Sequence, residues 1–234
     1  MTDMGGLYGF APRPRPDGVT LAGRTVRLEK LATTHAESLG AALSGPDVAD
    51  LYRYLFEPPA ATPSDVETWV EKASGSGDPF FYAVVDQASG RAVGRAALMR
   101  IEPAHGVIEV GSILWSPDMQ KSPAATEAIA LFAAYVFEGL GYRRFEWKCN
   151  DLNVPSKRAA IRLGFSYEGL FRQHMVVKGQ SRDTAWFAMT DLDWARLKPA
   201  YQRWLRPENF DAAGQQREAL SVLTREALDE GVGT

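Results

Sequence analysis

Gln120-Lys121-Ser122-Pro123-Ala124-Ala125-Thr126-Glu127-Ala128 lies between an apolar, strand-like run ending at Trp115 and a helix-like run of Ala, Leu, Phe, Tyr and Val. A strand that turns tightly into a helix leaves the first amides of that helix without carbonyl partners. Those N–H groups and the helix dipole make a seat for an anion, most often a phosphate. The loop is short, and its alanines let a ligand approach the backbone closely.

Upstream, three strand-like segments follow one another. Phe80 to Val85 is apolar, Ser89-Gly90-Arg91 reads as a turn into Ala92 to Ile101, and Pro103-Ala104-His105-Gly106 turns the chain into Val107 to Trp115. Consecutive strands with short turns predict an antiparallel meander. Downstream, the helix entered at the junction runs from Ala124 to Glu138 and stops at Gly139 and Gly141. Arg144 to Lys148 is a strand, Asn153 to Leu163 a helix ended by Gly164, and Phe165 to Val177 with Asp183 to Met189 a hairpin around Lys178-Gly179. Nearer the start, Thr25 to Leu31 alternates Val26 and Leu28 with Arg27 and Glu29, as a strand does. Thr33 to Leu43 follows as a helix, with Thr34 as its cap candidate and His35, Leu39 and Ala42 on one face. Asp47 to Phe56 is aromatic-rich, and Ser64 to Ala73 opens with a Ser64-x-x-Glu67 capping box. The order predicts a mixed α/β domain.

The chain has 234 residues, 45% hydrophobic and 24% charged, enough for one sizeable core and short for two. A net charge of −3 gives no sign of bulk nucleic-acid binding. Cys149 is the single cysteine, so no intrachain disulfide forms and a reducing compartment is favoured. His35, His105 and His174 are far apart, with no zinc spacing. Ala128 to Phe137 is too short to cross a bilayer, and the start shows no basic-then-apolar leader. A soluble cytoplasmic protein without metal is expected.

Residues 1–20, rich in Gly, Pro and Arg, read as an irregular arm. At the other end Trp194, Leu197, Tyr201 and Trp204 lie at helical spacing, interrupted by Pro199, which should break or kink a helix. Gln215 to Glu230 is amphipathic through Leu220, Leu223 and Ala227, a stripe that must cover either the domain or a second subunit.

The element order resembles the GCN5-related N-acetyltransferase superfamily, and within it the branch of ribosomal-protein N-terminal acetyltransferases. The features that carry this are Gly23-Arg24-Thr25-Val26-Arg27-Leu28, Ala125-Thr126-Glu127-Ala128 entering a helix, Phe137 with Leu140-Gly141-Tyr142-Arg143, and Asn153-x-x-Ser156 ahead of Gly164-Phe165. The resemblance covers residues 21–192 as the acetyltransferase domain and leaves residues 193–234 as a helical extension. It implies an α+β fold: a mostly antiparallel twisted sheet of about seven strands flanked by helices. It also implies that the junction loop holds the pyrophosphate of coenzyme A, through Gln120, Lys121, Ser122, Ala124, Ala125 and Thr126. The family pattern has a glycine where this chain has Pro123, which donates no N–H but suits the first turn of a helix. The resemblance further implies, by position, that Ile113, Leu114 and Trp115 hold the pantetheine arm through their main chain.

Acetyl transfer to an amine needs a neutral amine, a base, an N–H donor for the oxyanion and a donor near the leaving sulfur. Glu109, in an otherwise apolar strand, is either the base or a carboxylate paired with Arg95 or Arg100. Ser156 is the candidate donor to sulfur, since the tyrosine many relatives place one turn later is Ala160 here. Asn153 caps the helix, contacts pantetheine, or does both. Tyr52, Tyr54, His174 and Asp183 are acceptor-site candidates, each with a plain structural alternative; Cys149 reads as a structural thiol. The expected activity is acetyl-CoA-dependent N-acetylation of a protein N-terminus or a small amine. Its rivals are a different acyl group or a hydroxyl acceptor, and a non-catalytic coenzyme A-binding module.

Overall fold

The computed structural model describes residue 7 and residues 9–229. One eight-stranded sheet organises it, in the order β1-β2-β3-β4-β5-β6-β8-β7. The strands are β1 (Leu21–Ala22), β2 (Val26–Lys30), β3 (Phe80–Asp86), β4 (Ala92–Glu102), β5 (Val107–Trp115), β6 (Arg144–Asn150), β7 (Ser166–Val177) and β8 (Gln180–Thr190). Neighbours are antiparallel except β5 and β6, which run parallel. The parallel pair needs a crossover, and α3 (Pro123–Ala134) provides it, followed by a π turn over Tyr135–Gly139. The mixed α/β sheet matches the expectation, with the two-residue β1 as the extra strand.

The sheet alternation puts different residues on its two faces. Val26, Leu28, Tyr82, Val84, Ile108, Val110, Phe145 and Phe187 face the larger core, with α3, α4 (Val154–Arg162), α5 (Asp191–Trp204) and α6 (Leu220–Asp229). Ala83, Val85 and Leu114 face a smaller core with α1 (Ala36–Leu43) and α2 (Pro63–Ser74).

Several details differ from the sequence reading. The capping box of α2 is Thr62 with Asp65, not Ser64 with Glu67. Pro63 fits the first helical position, so the cap falls one residue before it. Thr34 is no cap: Thr33–His35 form a 3-10 turn before α1, and buried His35 accepts the Ala32 N–H on Nδ1 at 3.1 Å. Helix α5 runs unbroken through Pro199, because Trp194, Leu197, Ala200, Tyr201 and Trp204 are all buried and packing outweighs the lost backbone bond. The last helix begins at Leu220, with Gln215–Ala219 outside it, and Leu220 and Leu223 enter the larger core of this same chain. Among the described residues no helix is long and apolar enough to cross a membrane.

Candidate active site

Pairing between β5 and β6 covers only Val107–Val110 against Arg144–Trp147. Past Val110 the strands no longer bond to each other. On its other side β5 bulges: the register jumps from Ala97 opposite Gly111 to Arg95 opposite Leu114, and Ser112 takes a left-handed φ of 49°. Arg95 braces the bulge by donating from Nη1 to the Ser112 carbonyl at 3.1 Å. The unpaired stretch opens a cleft of about 120 Å³ walled by Glu109, Gly111, Ser112 and Ile113 of β5, Lys148 and Asn150 of β6, and Asn153 and Ser156 at the start of α4. Tyr54 and Phe56, from the segment joining α1 to α2, Arg100 of β4 and Arg182 of β8 also line it.

The candidates Glu109, Ile113, Asn153, Ser156 and Tyr54 thus share one cavity. Asn153 caps α4, its Oδ1 accepting the Ser156 N–H at 3.1 Å. Ser156 Oγ accepts the indole N–H of Trp147 at 2.9 Å, a partner the sequence did not suggest. This holds the serine oxygen in place while leaving its own proton available. Burial pushes the Cys149 thiol above its ordinary range, against a smaller pull from Ser156, as suits a structural thiol.

Glu109 is 2% exposed. Arg100 donates to its Oε1 at 2.6 Å, the pairing foreseen. Lys148 Nζ lies 3.0 Å from Oε2 without hydrogen-bond alignment, so that oxygen has a charge beside it but no bonded donor. Lys148 is shared with Glu146, at 2.6 Å, and its ammonium sits over the Trp186 ring. Burial raises the Glu109 pKa, against the opposing pull of Lys148 and Arg100. Arg95, the other foreseen partner, is bound to Glu57 and stacked 3.9 Å above Trp69.

Tyr54 reaches the Leu152 carbonyl with its hydroxyl at 3.1 Å. Tyr52 lies away from the cleft, its ring in the smaller core and its hydroxyl donating to the Leu43 carbonyl at 2.7 Å. His174 is on exposed β7, paired with Thr184 Oγ1 at 3.0 Å. Its pKa is lowered by partial burial and by Arg100, Arg182 and Lys148. Asp183 accepts the Gln173 N–H at 2.7 Å and lines a broader open depression that meets the cleft at Asn150. Leu114 is buried in the smaller core, and Trp115 packs on Gly94, where a Cβ would stand 2.8 Å from the indole.

The junction loop forms a separate end of the site. Ser122 is the N-cap and Pro123 the first residue of α3, so Ala124 and Ala125 keep N–H groups without intrahelical acceptors. Lys121 takes a φ of 58°, and the Gln120 side chain donates to the Trp115 carbonyl at 3.3 Å. Ser122 spends its hydroxyl on the Met119 carbonyl at 2.7 Å. The Thr126 hydroxyl, buried, accepts from Arg162 at 3.0 Å. Two backbone amides at a helix start, plus a lysine, fit a diphosphate, and a strand edge left open between that seat and the cleft fits an extended amide-bearing arm. Among the described residues no cluster of metal ligands occurs.

Sequence reading missed Lys148 and Arg182. A signal existed in β6, where Arg144, Glu146, Lys148 and Asn150 alternate with Phe145, Trp147 and Cys149. Such alternation marks a strand with one polar face, and the Lys148 and Asn150 end of that face lines the cleft.

Comparison with known proteins agrees with this arrangement. A family model described as an acetyltransferase (GNAT) domain matches residues 25–166. The crystal structure of a GCN5-related N-acetyltransferase from Brucella melitensis is 55% identical, covers 94% of this chain and 100% of its own, and superposes with a TM-score of 0.91. A GNAT-family acetyltransferase from Chromobacterium violaceum is 33% identical over 83% of this chain and 98% of its own, with a TM-score of 0.72. The N-acetyltransferase p20 of Bacillus licheniformis, described as uncharacterized, is 24% identical over 75% of this chain and 98% of its own. With the family match spanning more than half its length, and its parallel strands opening where the candidate side chains meet, this chain belongs to the GCN5-related N-acetyltransferase family.

Proposed function

We propose that the protein transfers an acetyl group from acetyl-CoA to a primary amine, by direct attack of the amine nitrogen on the thioester carbonyl. The observation that carries this is the shared cleft: a raised-pKa carboxylate, a fixed serine hydroxyl and an unpaired strand edge meet in one cavity. Coenzyme A, when bound, supplies the acetyl group as a thioester. The free amides of Ala124 and Ala125, with Lys121, hold its diphosphate, and the open edge of β5 at Ile113 to Trp115 holds the arm. Glu109 takes the proton that the attacking amine must lose. Ser156, steadied by Trp147, donates a hydrogen bond to the departing sulfur; a serine hydroxyl is too weak an acid for more. Asn153 keeps that serine at the first turn of α4. The acetyltransferase domain occupies residues 21–192, and the segment beyond braces it through Leu220 and Leu223.

The Asn153-x-x-Ser156 pattern is similar to that of the ribosomal-protein N-terminal acetyltransferases, and the acceptor is either a protein N-terminus, as in that branch, or a small amine. The test is thiol release from acetyl-CoA with panels of amines and of hydroxyl compounds, and from longer acyl-CoAs. Amine-dependent release with acetyl-CoA is expected. Release with hydroxyl compounds only would establish the rival acceptor, and tight binding without release under any condition would establish a non-catalytic module.

A further inference from the structure

Arg182 is a charged side chain of the cleft that the acetyl-transfer chemistry leaves without a task. It lies on β8, 7% exposed, opposite Met175 of β7. Its Nε is buried and has no hydrogen-bond partner. Among the described residues no carboxylate comes within ion-pairing distance of it; what the guanidinium meets is the ring of Phe56, 5.5 Å from its carbon to the centroid. The other charges of the cleft are already matched. Glu109 is engaged by Arg100 and Lys148, and Lys148 is further engaged by Glu146. The lining therefore contains Arg100, Lys148 and Arg182 against Glu109 alone, with Arg182 the unmatched cation.

A buried guanidinium without an anion is unfavourable to fold around, and a planar fork of donors is the side chain best shaped for a carboxylate. Desolvation strengthens that pairing once an anion enters. On the β7 side the His174 pKa is lowered first by burial and then by Arg100, Arg182 and Lys148, in keeping with a surplus of positive charge there. Asp183, the neighbour of Arg182 in sequence, does not neutralise it, because its carboxylate accepts from the Gln173 amide. Asp151, in the adjoining depression, is paired with Lys157 at 2.8 Å.

We propose that Arg182 is the specificity-determining residue of the acceptor site and that the acceptor amine is carried by a molecule with a carboxylate, either a free amino acid or a peptide whose first residue is acidic. This rests on the N-acetyltransferase reading above. Glu109 then serves the amine and Arg182 the carboxylate, from two walls of one cavity. The body of a longer acceptor leaves through the wider depression that joins the cleft at Asn150.

The experiment uses matched acceptors: β-alanine against β-alaninamide, and peptides beginning with Asp against the same peptides beginning with Asn. In the wild type, kcat/KM for the carboxylate member should exceed that for its amide by at least about ten-fold. Arg182→Gln should bring the ratio near one, lowering kcat/KM for the carboxylate member more than for its amide, and Arg182→Lys should recover part of the ratio. Preference confined to the free amino acids, or to the peptides, identifies the source. A ratio near one in the wild type, or a preference that survives Arg182→Gln, overturns the proposal. Propionate titrated calorimetrically into coenzyme A-loaded protein gives a readout that needs no turnover. Binding to the wild type and its loss in Arg182→Gln support the carboxylate seat even if no amine is acetylated, in which case only the N-acetyltransferase reading falls. Equal propionate binding by both proteins, or by neither, overturns the seat itself.

Discussion

Glu127→Gln should destabilise the protein far more than a neutral, near-isosteric change normally does. Glu127 sits in the first turns of α3, 6% exposed, and its carboxylate gathers the chain at the start of β2. Oε1 accepts the Arg24 N–H at 2.7 Å; Oε2 accepts the N–H groups of Thr25 at 2.7 Å and Val26 at 3.1 Å, together with the Thr25 hydroxyl. Gly23 makes the approach possible, since a Cβ there would stand 2.7 Å from the carboxyl carbon. A glutamine can keep an oxygen at the Oε2 position, but its NH2 then faces the Arg24 N–H, donor against donor. The unsatisfied amide costs about 1–3 kcal/mol, and the remaining bonds drop from the charged class to the neutral one, roughly 1 kcal/mol each. A total of about 4–6 kcal/mol corresponds to a fall in Tm of roughly 10–20 °C for a domain of this size. Calorimetric melting of wild type and variant measures it. Glu67→Gln is the control, an exposed acid on α2 for which a change within about 0.5 kcal/mol is expected. A Glu127→Gln protein melting within roughly 2 °C of wild type would refute the reasoning.

Three further outcomes follow from the same geometry. Trp147→Phe and Ser156→Ala should each lower kcat by about five-fold, equivalent to one hydrogen bond of roughly 1 kcal/mol, and the double variant should be no worse than the poorer single one, because Trp147 acts through Ser156; additive losses would separate the two. Glu57→Ala strips the anion from fully buried Arg95, and urea unfolding should show a loss of about 3–5 kcal/mol. Leu220→Ala should cost about 2–5 kcal/mol, independent of protein concentration, since Leu220 packs into the core of its own chain; a concentration-dependent loss would mean the helix covers a second subunit.

The strands were legible because their alternation and turns are local: Val107 to Trp115 is bounded by the Pro103–Gly106 turn and the Ser116-Pro117 step, and the structure has those same bounds. The Ser64-x-x-Glu67 pattern misled, because Pro63 takes the first helical position and so puts the cap at Thr62, with Asp65 as its partner. Pro199 misled because an interior proline is judged against an isolated helix, whereas Trp194, Leu197, Tyr201 and Trp204 anchor this one to the core. Within the site, Asn153 and Ser156 could be read from a short motif. The partners that define their environment could not: Trp147 reaches Ser156 from another element, and Lys148 and Arg182 join Glu109 only because β5, β6 and β8 lie side by side. Tyr52 and Tyr54 are two residues apart, and only the second lines the cleft, a distinction set by the 3-10 turn over Pro46–Tyr52.

The most direct measurement of the central claim is the pH dependence of kcat/KM for amine acetylation in wild type and Glu109→Gln, from about pH 5 to about pH 9. A base works when deprotonated, so activity is present above its pKa and lost as pH falls through it. Burial raises Glu109 above the usual 4.5 of a glutamate, with Lys148 and Arg100 only partly offsetting the shift. The wild type should therefore lose activity on the acid side through a pKa above that value, while the amine adds a separate rise with pH near 8 to roughly 10 by amine type, since only its neutral form attacks. Glu109→Gln should lose about 100-fold in rate together with the acid limb, and keep only the rise that follows deprotonation of the amine. An unchanged acid limb and near-wild-type rate in Glu109→Gln would contradict the account and leave Glu109 as an ion-pair partner of Arg100 and Lys148 alone.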